Sequence, residues 1–191
     1  MMSRREMPSD KGSIKTNIYK TMEFESKILS KGIQEILYNS DKTLGTAESC
    51  TGGRIAESII SIPGASNYFK GGIVSYTNEV KENLLGVSHE VLEEQTAVCE
   101  EVAKEMVLGA IKALGVDFAV SATGVAGPTG GTPEIPVGTI WIGYGNKDDV
   151  RTIKLTQDYG RDINLAIATN TALKAILEFL QERSDELKVE K

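Results

Sequence analysis

A turn at residues 48–53 carries two side chains that could act as nucleophiles, the hydroxyl of Ser49 and the thiol of Cys50. The turn lies between a predicted strand and a predicted helix, and free backbone N–H groups at a helix N-terminus can stabilise a developing oxyanion. Gly52 and Gly53 follow, and glycines allow a substrate to approach the backbone closely. This combination suits attack on a carbonyl carbon, although a simple capped turn uses the same residue types.

A serine nucleophile needs a base, and the chain contains one histidine, His89. The polar neighbours of His89 predict the exposed start of a short helix rather than a catalytic position. Lys81 is better placed, because it follows a predicted strand end on a segment that opens toward the same rim as Ser49. To act near neutral pH, its amine needs a pKa well below about 10.4, lowered by burial or by a cation such as Arg54 or Arg161. Viewed alone, the segment favours a solvated lysine on a helix face.

A loop at residues 124–131 is rich in glycine and hydroxyl side chains, and such loops can bind anions through backbone N–H groups. It lacks the lysine of a P-loop and does not match the dinucleotide-binding glycine motif. An ordinary long turn explains it at least as well. The single histidine and the separated cysteines, Cys50 and Cys99, form no ligand pattern, so no metal and no cofactor is expected.

Hydrophobic periodicity predicts the elements that hold these turns. Thr96 is the predicted cap of the fourth helix, Asn78 of the third, and Gly115 ends the fourth. Helices that alternate with strands, plus one hairpin, indicate an α/β domain with a mixed sheet and helices on both faces. Ligands of such sheets bind at the carboxyl ends of strands, where the three turns emerge. The predicted helices are 24–39, 51–60, 79–85, 97–114 and 162–181, and the predicted strands are 43–47, 73–77, 116–122, 137–144 and 150–155.

Composition and charge limit the classes of partner. The 191 residues, 40% hydrophobic and 25% charged, suit one globular domain. A net charge of -6 argues against nucleic-acid binding through a broad basic face, so a small-molecule ligand is expected. No apolar run suggests a signal peptide or approaches the roughly 20 residues of a membrane span, and few cysteines suit a reducing compartment. We expect a cytoplasmic protein without membrane contact.

The chain ends are predicted to lie outside the folded domain. Residues 1–22 are polar and lack a sustained apolar period, which predicts a mobile tail. Residues 184–191 form a charged fringe. The predicted domain therefore covers residues 23–183.

Three segments occur in a characteristic order: TAESCTGG (46–53), GGIVSYTNEVKENLLGV (71–87) and SATGVAGPTGG…PVGTIWIG (121–143). Together they closely resemble the CinA C-terminal domain family, the family of nicotinamide-nucleotide amidases, over residues of about 24 to 182. The resemblance implies a three-layer α/β/α sandwich with a mixed, mostly parallel sheet. It further implies hydrolysis of nicotinamide mononucleotide to nicotinate mononucleotide and ammonia, and a homo-oligomer. The sequence resembles the stand-alone form of the family.

The resemblance also assigns roles to matching residues. Ser49 would be the nucleophile and Lys81 its base, with Tyr76 orienting or relaying the proton. Thr123 and the 124–131 loop would bind ribose or phosphate, and Arg161 would pair with the phosphate. The residues expected to contact substrate are Cys50, Thr51, Gly52, Gly53, Thr123, Gly124, Gly127 and Arg161.

Two alternatives stay open. Cys50 could replace Ser49 as the nucleophile, because a thiolate at a helix N-terminus is activated. The same rim could also belong to a regulatory module that binds a pyridine nucleotide without hydrolysing it. The presence of both Ser49 and Lys81 is the sequence feature that favours catalysis over binding alone.

Overall fold

The computed structural model describes residues 11–185 and residue 187, with side chains from residue 16 onward. Within these residues, six α-helices, one short 3-10 helix at Ala65–Asn67 and five strands follow one another. The helices are α1 (Lys11–Leu37), α2 (Arg54–Ile60), α3 (Asn78–Leu85), α4 (His89–Gln95), α5 (Glu100–Leu114) and α6 (Arg161–Glu182). The strands are β1 (Leu44–Glu48), β2 (Phe69–Val74), β3 (Phe118–Gly124), β4 (Ile140–Asn146) and β5 (Val150–Leu155).

The five strands form one sheet in the order β2-β1-β3-β4-β5. Strand β1 runs parallel to both β2 and β3, whereas β4 runs antiparallel to β3 and β5. Four strands therefore point in one direction and β4 opposes them, which confirms the predicted mixed, mostly parallel sheet. The central strands β1 and β3 bring the turns that follow them to one edge.

Helices cover both faces of this sheet. On one face α1, α2 and α6 pack together, with Phe179 of α6 meeting Phe118 of β3 edge to face at a centroid distance of 6.2 Å. On the other face α5 lies against the sheet, with α3 and α4 packed against α5. Met106 and Val107 of α5 share a buried cluster with Ala119 of β3. The predicted three-layer α/β/α sandwich is confirmed.

The N-terminal caps of two helices differ from the predictions. Helix α3 is capped by Thr77, whose hydroxyl accepts from the Val80 N–H at 3.4 Å, and not by Asn78. Helix α5 is capped by the Cys99 thiol and not by Thr96. Thr96 ends α4 instead, because this short helix intervenes before α5. The predicted stop of α5 at Gly115 is confirmed.

Helix α1 begins at Lys11, twelve residues before the predicted domain boundary. The prediction of a structureless tail is wrong for residues 11–22, and residues 1–10 lie outside the described residues. Tyr19 accepts a hydrogen bond from Arg54 at 2.8 Å, which joins this part of α1 to α2. At the other end, Leu187 is buried against the core under α6, whereas residues 186 and 188–191 lie outside the described residues.

Helix α6 is, by length and composition alone, apolar enough to cross a membrane, contrary to the sequence expectation. Its most apolar stretch is 61% buried inside the protein. Leu173, Ile176 and Phe179 lie in the main core. Helix α6 is therefore a core helix of this fold, and its apolar character reflects packing against both the sheet and α1.

Candidate active site

The turn with Ser49 lies at the carboxyl end of the central strand β1. The backbone N–H of Ser49 donates to the Ala122 carbonyl of β3 at 2.8 Å, and the Glu48 carbonyl accepts from the Ser75 N–H at 2.8 Å. Hydrogen bonds from β3 and from the residue after β2 thus continue as far as Glu48 and Ser49. Ser49 is held in a fixed position and is only 8% exposed.

Glu48 caps helix α2 from within the protein. Its carboxylate accepts hydrogen bonds from the backbone N–H groups of Gly53 at 2.9 Å, Ile55 at 3.1 Å and Ala56 at 2.8 Å. The side chain is 1% exposed, and a negative charge at a helix N-terminus is favourable. The sequence reasoning missed this role, although an acidic residue just before a helix was a visible signal.

The Glu48 cap changes which N–H groups remain for an oxyanion. The first turn of α2 is occupied, and the Gly52 N–H donates to the Ser49 carbonyl at 3.2 Å. Within the described part of the chain, the N–H groups of Cys50 and Thr51 donate to no oxygen atom. These two groups act on the Cys50 thiol, and they are the N–H donors of this turn that no oxygen atom occupies.

Lys81 reaches Ser49 from the neighbouring helix. It is the fourth residue of α3, and its Nζ lies 3.1 Å from the Ser49 Oγ and 2.9 Å from the Ser75 carbonyl oxygen. The side chain is 1% exposed. A serine hydroxyl and a lysine amine are therefore in direct contact at a position closed to solvent.

Burial lowers the pKa of Lys81 below its ordinary value, and interaction with Cys50 acts in the opposite direction. Arg54 donates to Tyr19, and Arg161 donates to the Gly127 carbonyl at 2.7 Å. The expectation that one of these arginines shifts the amine is not supported. Loss of hydration is the main cause of the lowered pKa.

Cys50 is poorly suited to act as a thiolate. Burial raises its pKa to about 12, the nearby carboxylate of Glu48 adds to this, and the N–H groups of Cys50 and Thr51 counteract only part of the effect. The thiol is therefore neutral at physiological pH. The structure favours Ser49 over Cys50 as the nucleophile.

Tyr76 lies apart from the Ser49 and Lys81 pair. Its side chain is 64% exposed, and its hydroxyl makes no hydrogen bond with either residue in the described structure. Ser75 is buried and Tyr76 follows it outward at the end of β2. Tyr76 is thus positioned at the surface of the rim and not within the buried pair.

Thr123 has a protein partner. Its side chain is 1% exposed and its hydroxyl donates to the Ala97 carbonyl at 2.7 Å. This contact ties β3 to the segment just before α5. The hydroxyl hydrogen is therefore engaged in holding the two elements together, and the oxygen keeps its lone pairs as acceptors.

The glycines of the 124–131 loop are required by close packing. A Cβ at Gly124 would lie 2.5 Å from the Thr139 carbonyl oxygen, and one at Gly127 would lie 2.5 Å from a methyl group of Val137. Gly127 also has a φ of 87°, in the left-handed region that favours glycine. Their presence in the sequence therefore has a structural reason besides any contact with substrate.

Gly52 and Gly53 also adopt left-handed conformations, with φ of 61° and 99°. No atom lies within 4 Å of a Cβ built on Gly52, so the space beside it is open. Thr51, by contrast, is buried at 2% exposure and its hydroxyl has no partner among the described residues. Of the predicted substrate contacts in this turn, Gly52 is the exposed one.

Arg161 begins helix α6 and borders a cavity of about 490 Å³. Tyr19 and Lys20 of α1 line the opposite wall. The bond from Arg161 to Gly127 links this cavity to the 124–131 loop. The cavity is lined by two basic residues, Lys20 and Arg161, and by two acidic ones, Glu23 and Asp162, so its formal charge is balanced.

His89 lies at the surface, as predicted. It begins α4, and its Nδ1 is 3.1 Å from a Glu82 carboxylate oxygen, which raises the pKa of His89. Its position at the surface does not suit a base for a buried serine. In the part of the chain that the structure describes, no group of three or more His, Cys, Asp and Glu side chains could hold a metal ion.

These features define a three-layer α/β domain with a buried serine and lysine pair at the carboxyl edge of its sheet. Residues 26–180 match the family model of the CinA C-terminal domain. The chain belongs to the CinA C-terminal domain family, as the three sequence segments indicated.

Sequence relatives support the same assignment. A CinA-like protein of Leptospira borgpetersenii is 51% identical over 117 residues, which cover 61% of this chain and 28% of that protein. A putative competence-damage inducible protein of a Thermoanaerobacter species is 42% identical over 166 residues, which cover 87% of this chain and 39% of that protein. The chain thus spans well under half the length of these relatives.

Solved structures match over most of the chain. The competence damage-inducible protein A (ComA) of Klebsiella pneumoniae superposes with a TM-score of 0.78 at 31% identity, covering 82% of this chain and 97% of that chain. The competence/damage inducible protein CihA of Agrobacterium tumefaciens gives a TM-score of 0.75 at 30% identity, covering 92% and 99%. The fold is therefore that of the family.

Proposed function

We propose that this domain is an amidohydrolase that converts nicotinamide mononucleotide and water to nicotinate mononucleotide and ammonia. The observation that carries the proposal is the contact of 3.1 Å between the Lys81 Nζ and the Ser49 Oγ, both buried at the sheet edge. Membership of the CinA C-terminal domain family, together with the resemblance of the three sequence segments to that family, supports the choice of substrate. No metal or other cofactor enters the scheme.

The reaction begins with Lys81 as a neutral amine. As the Ser49 Oγ attacks the carboxamide carbon, its proton moves to the Lys81 Nζ, and the carbonyl oxygen becomes an oxyanion facing the N–H groups of Cys50 and Thr51. The lysine ammonium then gives its proton to the departing amide nitrogen, which leaves as ammonia. Ser49 is left as an ester of the nicotinoyl group.

Water completes the cycle at the same pair. Lys81, neutral again, accepts a proton from water as the oxygen attacks the ester carbon, and the returning proton restores the Ser49 hydroxyl. The new carboxylic acid gives its proton to solvent, and nicotinate mononucleotide leaves as a carboxylate. Each half of the reaction therefore uses one nucleophile, one base and the same two N–H donors.

The rest of the nucleotide would extend along the rim. Arg161 and the 124–131 loop are candidates for the phosphate, because a guanidinium can make paired hydrogen bonds to a phosphate. Tyr76, exposed at the surface of the rim, would orient the substrate there. We also propose a cytoplasmic location and a homo-oligomeric state.

The direct test is incubation of the purified protein with nicotinamide mononucleotide, followed by measurement of ammonia and of the acid product. The proposal expects the two in equal amounts, and a loss of about a hundredfold or more in both Ser49→Ala and Lys81→Met. His89→Ala is the matched control and should keep full activity. Saturable binding without acid formation would instead identify a regulatory module, and activity that survives Ser49→Ala would exclude the mechanism.

A further inference from the structure

Ser75 places a second hydroxyl beside the Ser49 and Lys81 pair. The last paired residues of the β1 and β2 ladder are Glu48 and Val74, and the Ser75 N–H continues the ladder to the Glu48 carbonyl. Ser49 and Ser75 therefore stand opposite each other, one step beyond this pair. The two serines are neighbours on adjacent parallel strands.

Both side chains point toward the α5 face of the sheet. Two residues earlier, Ala47 of β1 belongs to the buried cluster beneath α5, and Ile73 of β2 packs against that cluster. Side chains alternate along a strand, so Ser49 and Ser75 project to the same side as these residues. Lys81 approaches from α3, which lies on that side.

The Ser75 hydroxyl is buried and without a partner. Ser75 is 0% exposed, and its Oγ has no hydrogen-bond partner among the described residues. Buried hydroxyls are nearly always bonded, and an unbonded one calls for a specific explanation. One explanation is that the Ser75 hydroxyl forms its hydrogen bond in a different state of the site from the resting one.

The Lys81 amine provides the complementary group. Its Nζ contacts two oxygen atoms, the Ser75 carbonyl and the Ser49 Oγ. An ammonium carries three N–H donors. Once the amine has accepted a proton, it carries a third N–H that neither of these two oxygen atoms accepts. Because the site is closed to solvent, this N–H needs another acceptor from the protein.

We propose that Ser75 is a positioning residue for Lys81, whose hydroxyl accepts the third N–H of the ammonium formed when Ser49 gives up its proton. In this step the O–H bond of Ser49 breaks, an N–H bond forms on Lys81, and the Ser75 Oγ turns toward the Nζ by rotation about χ1. The carbonyl of the same residue already holds the Nζ at 2.9 Å. Ser75 therefore fixes the base through both its backbone and its side chain.

The inference rests on the proposed serine and lysine chemistry, and it predicts a change in pH dependence. Ser75→Ala removes an acceptor for the ammonium, so the pKa of Lys81 falls further and the rising part of the rate against pH moves to lower pH. The maximal kcat falls about tenfold, with KM nearly unchanged, because one hydrogen bond to a charged group is lost. Cys50 also acts on the pKa of Lys81, but burial raises the pKa of its thiol to about 12, so the thiol does not titrate in the pH range of the experiment.

Thr46 provides a matched control. Its hydroxyl is also fully buried and without a partner among the described residues, but it faces α2, since a Cβ on Gly72 would meet both the Thr46 Oγ and the Ala56 Cβ. Thr46→Val removes a buried hydroxyl at nearly constant volume on the opposite face. It should leave the pH dependence and kcat unchanged.

The experiment compares the full-length wild type, Ser75→Ala, Ser75→Cys and Thr46→Val, with thermal unfolding measured for each. Ser75→Cys keeps the volume and offers only a weak acceptor, so it should show the same shift if Ser75→Ala fails to fold. A normal pH dependence and kcat in a folded Ser75 variant, or an equal change in Thr46→Val, would overturn the inference.

A second readout separates this inference from the choice of substrate. A fluorophosphonate probe forms a bond from phosphorus to the Ser49 Oγ and releases fluoride, while the hydroxyl proton passes to Lys81. The rate of labelling against pH therefore reports the pair without nicotinamide mononucleotide. Labelling that is normal in the wild type and shifted in Ser75→Ala, with no hydrolysis of the nucleotide, would refute the proposed substrate and support the role of Ser75. Wild-type protein that neither hydrolyses nor reacts would refute both.

Discussion

The amine of Lys81 contacts the hydroxyl of Ser49 at 3.1 Å across 32 residues of sequence. Strands β1 and β2 are adjacent and parallel, so the turn after β1 and the helix after β2 meet at the same sheet edge. The Thr77 cap starts α3 at the position that brings its fourth residue over Ser49. The contact between Ser49 and Lys81 therefore follows from the order of the strands in the sheet.

Replacement of Lys81 by methionine tests the base. The unbranched side chain ends one atom short of the amine and keeps its apolar stem, and loss of a general base lowers kcat by about 10² to 10⁴. In the wild type the rate should rise with pH through a pKa below the ordinary lysine value, because burial favours the neutral amine. Steady-state kinetics between pH 5 and pH 10 would measure both effects, and a rate independent of pH over this range would contradict a titrating base.

The same substitution should raise stability at neutral pH. Burial lowers the pKa of Lys81 in the folded protein, so the unfolded chain binds more protons between that pKa and the ordinary value near 10.4. The wild type therefore becomes more stable as pH rises through this window. Lys81→Met should exceed the wild type by about 1 kcal/mol at pH 7, and the difference should shrink near pH 10. Urea unfolding at the two pH values measures this, and a difference that grows with pH would contradict the sign.

Substitution of Cys50 separates the two candidate nucleophiles. Its thiol, with a pKa of about 12, is neutral and should contribute little to the chemistry. Cys50→Ala should retain activity within about threefold. In the folded protein, alkylation by iodoacetamide at pH 8 should modify the more exposed Cys99 first, which peptide mass analysis can resolve. Rapid modification of Cys50 with parallel loss of activity would favour the thiol as nucleophile.

Removal of the Glu48 carboxylate should loosen the nucleophile turn. Glu48→Ala leaves three backbone N–H groups of the α2 terminus without their acceptor, at a cost of about 2 to 3 kcal/mol in the free energy of unfolding. Glu48→Gln keeps one acceptor oxygen and should lose less. Denaturant unfolding and kcat should fall together across the two variants. Equal stability of all three proteins would show that the cap does not hold the turn.

The meeting of Ser49 and Lys81 at one rim could be predicted from the sequence. Turns that follow neighbouring parallel strands must meet, and this rule alone brought Ser49 and Lys81 to one rim. The strand at Val150–Leu155 and the helix stop at Gly115 also lie where local patterns predicted them. These features depend on periodicity and on glycine conformation, both of which are visible in a short stretch of chain.

Other features depend on tertiary partners and were not predictable in this way. The Glu48 carboxylate could have been a solvent-exposed charge, and only the placement of α2 over the end of β1 makes it a buried cap. The Thr123 hydroxyl is used by the Ala97 carbonyl, which is 26 residues away in sequence. Helix α1 extends to Lys11 with few apolar positions, so hydrophobic periodicity does not reveal its start.

The most direct measurement of the central claim is isolation of the covalent intermediate. Protein mixed with nicotinamide mononucleotide, quenched in acid within milliseconds and digested, should yield a peptide of the 48–53 turn that carries the nicotinoyl nucleotide as an ester on Ser49. The Lys81→Met variant should not accumulate it. The adduct on Cys50, or full turnover of Ser49→Ala with no adduct at all, would contradict the account.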